Sequence, residues 1–383
     1  MPRVPFSLLL LSCGLVSSAI VAAQASPPPT PPEQSAPAPV AAEAPAPASA
    51  EAAPPAAPPA APTPATAPRS DEEVLTVFRH DLINLIALRA DGRVLAAAAQ
   101  IAAPDQNDPS RMALKKPPGL IKRAQEFAPN DPFVLWVAAS NPCMTKPGCA
   151  DAAALATLQK TDADNAAVWL RSFPSEGNPA KAQAIVARMA QAQRYDDYWA
   201  ADVVALYHAL ESMPVPEIIT RQGMSAQAAR VNFASSMASA MLPAELKPLG
   251  KFCSGVDATK EAGVATDCLN LAKKLETSGT FISQNIGFAI EEHFLSGTER
   301  EVLGARQRSA AWQKEKFLEI AVRFNREPAL AESYIRLLGS EANELAAVPT
   351  LLREQNIHTD PPGGWQAPQA KAPDPLRAPA AQH

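Results

Sequence analysis

The stretch "APNDPFVLWV", residues 128–137, points to a helical repeat, because a related stretch follows it at a regular distance. Thirty-three residues later the chain reads "TDADNAAVWL", residues 161–170. Both stretches have an Asp/Asn-rich turn followed by an apolar run, with Trp136 and Trp169 at the matching place. A third turn, "RYDDYW", brings Trp199 thirty residues after Trp169. This spacing predicts stacked helix–turn–helix units, the organisation of an α-solenoid.

The rest of the region from residue 70 to residue 358 also has a helical pattern. Ala, Leu, Gln, Arg and Glu dominate it, and runs of β-branched residues are few. Ser70 is a predicted N-cap, followed by acidic residues in the first turn. Helices are predicted over about 71–90, 131–140, 151–160, 178–193 and 298–325. We therefore expect an all-α protein in which short connections make neighbouring helices antiparallel.

The two stretches resemble the tetratricopeptide repeat family, over about residues 118–210. That family has a tryptophan early in the first helix of each repeat, as at Trp136 and Trp169. Its small residues at the helix crossing and its Pro or Asp at the turn between repeats are matched by Ala152, Ala182 or Ala184, Ala192, Pro129 and Asp162. The family's Leu-Gly pair is absent, and Ser172 and Phe173 stand near its place. The resemblance implies a curved helical stack that binds proteins or peptides; a non-repetitive helical bundle is the alternative.

Residues 1–25 have the organisation of a secretory signal peptide. Arg3 precedes an apolar stretch, and the sequence Ala-Gln-Ala that ends at Ala25 has the small-x-small pattern of a signal peptidase site. We expect cleavage after Ala25 and a periplasmic or secreted protein. The alternatives are lipidation at Cys13, which would anchor the chain as a lipoprotein, and retention of the segment as an uncleaved membrane anchor. No other contact with a membrane is predicted, because no later stretch has ~20 uninterrupted apolar residues.

Proline-rich segments flank the helical region. Residues 26–69 are almost entirely Pro, Ala and small polar residues, which cannot form a packed core, so an extended, disordered linker is predicted. Residues 359–383 are a second segment of this kind, for which we expect a free, disordered tail; docking of Trp365 onto the domain is the alternative. Between the two, the repeat fades with distance from Trp199. We expect a repeat-like region over 70–250 that continues into a C-terminal helical bundle over 251–358.

The cysteines predict two disulfide bonds. Once Cys13 is removed with the signal peptide, four cysteines remain, and an even number in an exported chain favours disulfides. Local pairing is preferred, Cys143 with Cys149 and Cys253 with Cys268, because "CMTKPGC" contains a Pro-Gly turn that brings its ends together. Zinc is the rival hypothesis, but neither pair has the usual ligand spacing and no histidine lies near either pair in sequence. The predicted role of the cysteines is structural.

Composition and motifs argue against several classes of function. The chain has 34 basic and 39 acidic residues, whereas a nucleic-acid-binding protein needs a basic face. Metalloprotease, serine-hydrolase, P-loop and dinucleotide-binding motifs are absent from the sequence. Glu291, Glu292 and His293 are adjacent and so point apart on a helix, and His208 with Glu211 is interpreted as a surface hydrogen bond. We predict no catalytic residue, no cofactor and no metal site.

The long helix predicted over 298–325 has an apolar stripe and many charges. The stripe comprises Leu303, Ala310, Phe317, Ile320, Ala321 and Phe324. The cations are Arg306, Arg308, Lys314, Lys316, Arg323 and Arg326, and acidic residues are interleaved with them. The favoured interpretation is a solvated helix with charge pairs one turn apart, and a face for an anionic partner is the alternative.

The leading hypothesis for function is an exported helical repeat module that binds a protein or peptide partner in the cell envelope. An exported helical enzyme that acts on a cell-wall or secreted substrate is the second hypothesis, since an active site can assemble from residues distant in sequence. A passive structural spacer is the third. The oligomeric state is not predicted by the sequence.

Overall fold

The computed structural model of the chain describes residues 70–102, 119–140, 151–174, 177–221, 223–277 and 279–367. Within these ranges there are sixteen helices and no β-strand, and one isolated backbone bridge joins Asn165 and Arg194. The all-α prediction is therefore confirmed. In the part of the chain so described, none of the helices combines the length and the apolar character needed to cross a bilayer.

The first eight helices cover the region in which the repeat is predicted. They are α1 (Asp71–Ile86), α2 (Gly92–Ala102), α3 (Leu120–Phe127), α4 (Pro132–Ser140), α5 (Ala152–Thr161), α6 (Ala166–Leu170), α7 (Pro179–Gln191) and α8 (Trp199–Leu210). The helices that the sequence predicts near 131–140, 151–160 and 178–193 correspond to α4, α5 and α7. The helix of Trp169, α6, is only five residues long, since a turn follows it directly before Pro174.

The other eight helices complete the helical domain. They are α9 (Glu217–Thr220), α10 (Ala226–Ala240), α11 (Leu246–Ser254), α12 (Ala262–Thr277), α13 (Phe281–Phe294), α14 (Gly297–Arg323), α15 (Pro328–Glu341) and α16 (Glu344–Glu354). The 27 residues of α14 make it a helix of ~40 Å, at 1.5 Å per residue. It corresponds to the long helix predicted over 298–325.

Local sequence explains where many of these helices begin. Ser70 is the N-cap of α1, as predicted: its hydroxyl accepts from the Glu73 amide at 3.2 Å, and the Glu73 carboxylate accepts from the Ser70 amide at 2.9 Å. This reciprocal pair is a capping box, which satisfies two backbone donors at the helix start. Asp151 and Asn165 cap α5 and α6 in the simpler way, through one side-chain oxygen each.

The helices pack into one hydrophobic core. Sequence neighbours such as α4 with α5, α5 with α6, and α6 with α7 are in contact, as expected for helices joined by short connections. Helix α8 also packs against α2, α10 and α15, and α7 packs against α12. In a one-dimensional repeat stack each unit contacts only its neighbours. Here buried residues on both sides of residue 250, from Leu82 to Leu352, belong to the same core.

Candidate functional site

Trp136, the first of the three repeat tryptophans, lies in the core. It is the fifth residue of α4 and only 2% exposed. The Arg171 guanidinium carbon lies 4.5 Å from the centroid of its ring, and the Tyr198 ring packs against it at 5.2 Å. These contacts join α4 to the turn after α6 and to the start of α8. Trp136 therefore acts in packing between helices that are distant in sequence.

The other two tryptophans occupy different positions in their helices. Trp169 is the fourth residue of α6 and is partly exposed; its indole donates to the Ala163 carbonyl at 2.9 Å, and Arg188 lies over its ring at 4.6 Å. Trp199 is buried and is the first residue of α8, where its indole donates to the Ser239 hydroxyl at 3.1 Å. The spacing in sequence thus brings the three indoles to three different environments, and they do not form one surface.

One of the two cysteine pairs lies in the described residues. The sulfur atoms of Cys253, in α11, and Cys268, in α12, are 2.08 Å apart, at disulfide distance, and both cysteines are fully buried. The predicted Cys143–Cys149 pair lies outside the described residues. Within those residues, no group of three or more His, Cys, Asp or Glu side chains is arranged to hold a metal ion.

Two buried carboxyl groups meet where α12 and α13 pack, a site that sequence reasoning missed. The side chains of Glu276 in α12 and Glu291 in α13 are 4% and 1% exposed, and Arg306 of α14 forms an ion pair with both. One oxygen of each carboxyl is buried and receives no hydrogen bond. Unpartnered anionic oxygens are costly in a core, whereas a proton retained by one acid lets it donate to the other.

Burial and the proximity of Glu291 shift the titration of Glu276. Desolvation, together with the neighbouring Glu291, raises the pKa of Glu276 to about 8. A raised pKa is common at acid–base centres, but both carboxyls are buried and both pair with the Arg306 guanidinium. The cluster therefore joins α12, α13 and α14.

Gly287 lets the helices of this cluster come close. A Cβ atom placed there would lie 2.7 Å from the Ala272 carbonyl oxygen and 3.0 Å from Cγ of Glu276, too close for either contact. Only indirect signals for this arrangement are present in the sequence, in which Glu291 is interpreted with its neighbours Glu292 and His293, and Arg306 as one of several surface cations. The structure distinguishes Glu291 from its neighbour Glu292, because Glu291 is fully buried and Glu292 is exposed.

A second buried ion pair links distant parts of the chain. Arg171 and Glu245 are 3.4 Å apart, with side chains 3% and 1% exposed, and Arg171 also donates to the Met241 carbonyl at 3.1 Å. Burial lowers the pKa of Arg171 despite the attraction of Glu245. Nearby, Asp197 is buried beside Tyr195, and desolvation raises the Asp197 pKa to about 7. This polar cluster contacts Trp136 through Arg171.

Asp202 is another buried acid, separate from the two clusters described above. It accepts a 2.6 Å hydrogen bond from Gln100 and so connects α8 to α2, and desolvation raises its pKa to about 7. Asp202 lies 33 residues after Trp169, at the place where a strict repeat would have the next tryptophan. In α8 this position is therefore occupied by an acid that forms a hydrogen bond to α2, in place of an aromatic ring.

The charged surface of α14 mostly consists of local ion pairs. Lys316 lies 2.6 Å from Glu319, and Arg323 lies 2.7 Å from Glu327, so that both pairs are about one turn apart as predicted. Two arginines of α14 instead reach to α12 or α13: Arg306 pairs with the two buried glutamates, and Arg300 pairs with Glu292 of α13 at 2.8 Å. The apolar stripe packs inward, with Leu303, Ile320 and Phe324 buried.

The face of α14 around Trp312 holds a segment of the chain that follows α16. We refer to Ser309, Trp312, Gln313 and Lys316 as the Trp312 platform, and to residues 358–365 as the tail segment. The Trp312 indole donates to the His358 carbonyl at 2.8 Å, and the Gln313 amide donates to the Thr359 carbonyl at 3.2 Å. Lys316 lies over the Trp312 ring, 4.5 Å from its centroid.

The far end of the tail segment returns to the same platform. The Trp365 ring packs edge-on against Trp312, with centroids 5.4 Å apart, and the Trp365 amide donates to the Pro362 carbonyl at 3.1 Å. The turn this bond closes contains Gly364 at φ +82°, a conformation that favours glycine. The expectation of a free tail from residue 359 was wrong as far as Trp365, because aromatic packing and two carbonyl acceptors hold these residues on α14. Residues 368–383 lie outside the described part.

Shallow depressions at the surface of the described residues lie elsewhere. One borders the start of α1, with Ser70, Glu73 and Val77, and another borders the start of α15, with Glu327 and Leu330. Neither contains a buried acid. The Trp312 platform, in contrast, donates to two consecutive main-chain carbonyls of the tail segment.

Comparison of the chain with protein-family models, with curated proteins and with solved structures found no match. The fold and the site define an all-α protein in which an aromatic helix face holds a non-helical segment of the same chain.

Proposed function

We propose that this chain is an exported all-α module that binds a protein or peptide partner in the cell envelope. The observation that carries the proposal is the Trp312 platform, whose side chains donate to two consecutive main-chain carbonyls of a non-helical segment. Main-chain carbonyls are present in every peptide, so this is a general mode of peptide recognition. Export is proposed from residues 1–25, which have the organisation of a signal peptide.

We also propose that α4–α5 and α6–α7 are two degenerate repeats of the tetratricopeptide type. The 33-residue spacing of Trp136 and Trp169 supports this, as do the contacts within each pair and between α5 and α6. In this proposal the repeats form part of the framework of the domain. Helix α7 packs against α12, α12 against α13, and α13 against α14, which carries the platform.

Site-specific crosslinking in intact envelopes tests the proposed function. A photoreactive residue replaces exposed Arg308, one turn before Trp312, and a control replaces exposed Lys181 in α7. We expect a discrete adduct from position 308, identified by mass spectrometry as a peptide from another protein, and no such adduct from position 181. Identical adduct patterns at the two positions, or no adduct at position 308, would contradict a binding role for this face.

A further inference from the structure

The contacts of the tail segment with the Trp312 platform show which features a bound peptide segment would need. Two carbonyls precede the proline pair Pro361-Pro362, and the Asp360 carboxylate lies 3.2 Å from the Ser309 hydroxyl. The platform residues lie on one face of α14, because positions 309, 312, 313 and 316 follow the helical repeat. The backbone bends at Thr359 and Asp360, ahead of the prolines, and the carbonyls of His358 and Thr359 both face α14.

The end of the tail segment adds an aromatic requirement. The turn after the proline pair directs the Trp365 ring onto Trp312. The stretch "TDPPGGW", residues 359–365, thus combines an acid, two prolines, a glycine turn and an aromatic ring. Proline restricts the backbone before binding, so a segment of this kind loses little conformational freedom when it docks.

The contacts that hold the tail segment on α14 are exposed enough to break and re-form. Its hydrogen bonds to α14 lie in exposed or partly buried positions, and Trp312 and Trp365 are both partly exposed. Segments with few buried contacts open far more often than the core does. A short connection to the end of α16 nevertheless gives the tail segment a local concentration of about millimolar order. A partner in solution therefore competes with the chain's own tail.

We infer that the Trp312 platform is a binding site for a proline-rich segment of a partner protein that carries an aromatic residue after its prolines, and that the tail segment is the internal competitor that keeps this site closed. The inference rests on the proposed function and specifies the chemistry of the partner. The Ser309 hydroxyl, 3.2 Å from the Asp360 carboxylate, suits the acidic residue that precedes the prolines in the tail segment.

Peptide titration against full-length protein tests this inference. The probe is a synthetic peptide with the sequence of residues 357–367, and calorimetry measures its affinity for wild type, Trp365→Ala and Gln366→Ala. Removing the Trp365 ring weakens the internal competitor, so we expect Trp365→Ala to bind the peptide at least about tenfold more tightly than wild type. The matched control, Gln366→Ala, changes an exposed neighbour and should behave as wild type.

Two further variants locate the binding to the platform. Trp312→Ala and Gln313→Ala, each combined with Trp365→Ala, should abolish or strongly weaken binding, as should replacement of the tryptophan of the peptide by alanine. Circular dichroism verifies that every variant remains helical. Equal affinities for wild type and Trp365→Ala, or no binding to folded Trp365→Ala, would overturn the inference.

A second copy of the chain is the competing occupant of the platform. Sedimentation of the wild type over a range of concentrations tests for a second copy. A monomer supports a partner protein as the occupant. A dimer that Trp365→Ala dissociates would overturn that assignment and indicate that two copies exchange their tail segments. The crosslinking experiment remains separate. An adduct at position 308 without peptide binding would leave the proposed function intact and remove only the proline-rich partner.

Discussion

The carboxyl groups of Glu276 and Glu291 lie against each other in the core and share the guanidinium of Arg306, so two acids depend on one cation. The cluster is electrically neutral only while one acid keeps its proton. Burial and the neighbouring acid raise the pKa of Glu276 to about 8, which preserves the neutral state at neutral pH. Helices α12, α13 and α14 are therefore joined by a contact whose charge changes under mildly alkaline conditions.

The first prediction concerns the pH dependence of stability. An acid whose pKa is raised on folding stabilises the native state fully below its unfolded pKa, near 4.5, and that contribution is lost as the pH rises to the folded pKa of about 8. The melting temperature of the wild type should fall between about pH 5 and pH 8. Glu276→Gln should flatten this fall, most clearly between pH 7 and pH 8, because an amide donates to Glu291 without titrating.

Other buried acids also lower the stability as the pH rises towards 7. Their contribution must be distinguished from that of Glu276. The pKa values of Asp197, Asp202 and Glu344 are each raised to about 7 by desolvation. All four acids therefore contribute to the slope between pH 5 and pH 7, where Glu276→Gln should remove one share, whereas between pH 7 and pH 8 the slope from these four acids comes mainly from Glu276. The matched control is Glu292→Gln at the exposed neighbouring position. If Glu276→Gln and Glu292→Gln give the same profile, the shared-proton interpretation is wrong.

The second prediction concerns the close approach of α12 and α13. Gly287→Ala places a methyl group 2.7 Å from a backbone oxygen that cannot move without shifting α12. We expect a loss of roughly 1–3 kcal/mol in the free energy of unfolding, measured by urea denaturation. Gly263→Ala, in α12 but with open space around the added methyl group, should be neutral or stabilising. A neutral Gly287→Ala would contradict the packing described here.

The third prediction concerns the cysteines. Peptide mapping of non-reduced protein should find Cys253 linked to Cys268 and Cys143 linked to Cys149. Replacing Cys253 and Cys268 by serine should cost about 3 kcal/mol, because the bond closes a loop of about sixteen residues in the unfolded chain. Peptide binding by folded protein should be unaffected. A Cys143–Cys253 crosslink, or four free thiols in protein from its native compartment, would exclude this assignment.

The fourth prediction concerns export. Mass analysis of the mature protein from the native host should find an N-terminus at Ser26, since the signal peptidase pattern ends at Ala25. An Ala25→Leu change should slow processing, because the cleavage site requires a small residue there, and Ala22→Leu outside the site is the control. Mature protein that carries a lipid on Cys13 would favour the lipoprotein alternative.

Helix positions were largely determined by the sequence, because their signals are local. The N-cap at Ser70, the apolar stripe of α14 and the pairing of Cys253 with Cys268 all follow from residues within a few turns of one another. Periodicity and capping act through backbone hydrogen bonds over three or four positions, so they can be detected in one sequence. The targeting segment and the proline-rich segments are likewise predicted from local composition and pattern.

The contacts between distant helices were decided by tertiary structure alone. Glu276 and Arg306 are 30 residues apart and Arg171 and Glu245 are 74 apart, and nothing in their local patterns distinguishes them from surface charges. Trp365 was expected in a free tail because its neighbours are Pro and Gly, yet Trp312 lies 53 residues earlier on the face that receives it. Burial and partners depend on which helices meet, and that depends on how the apolar surface of the whole chain is covered.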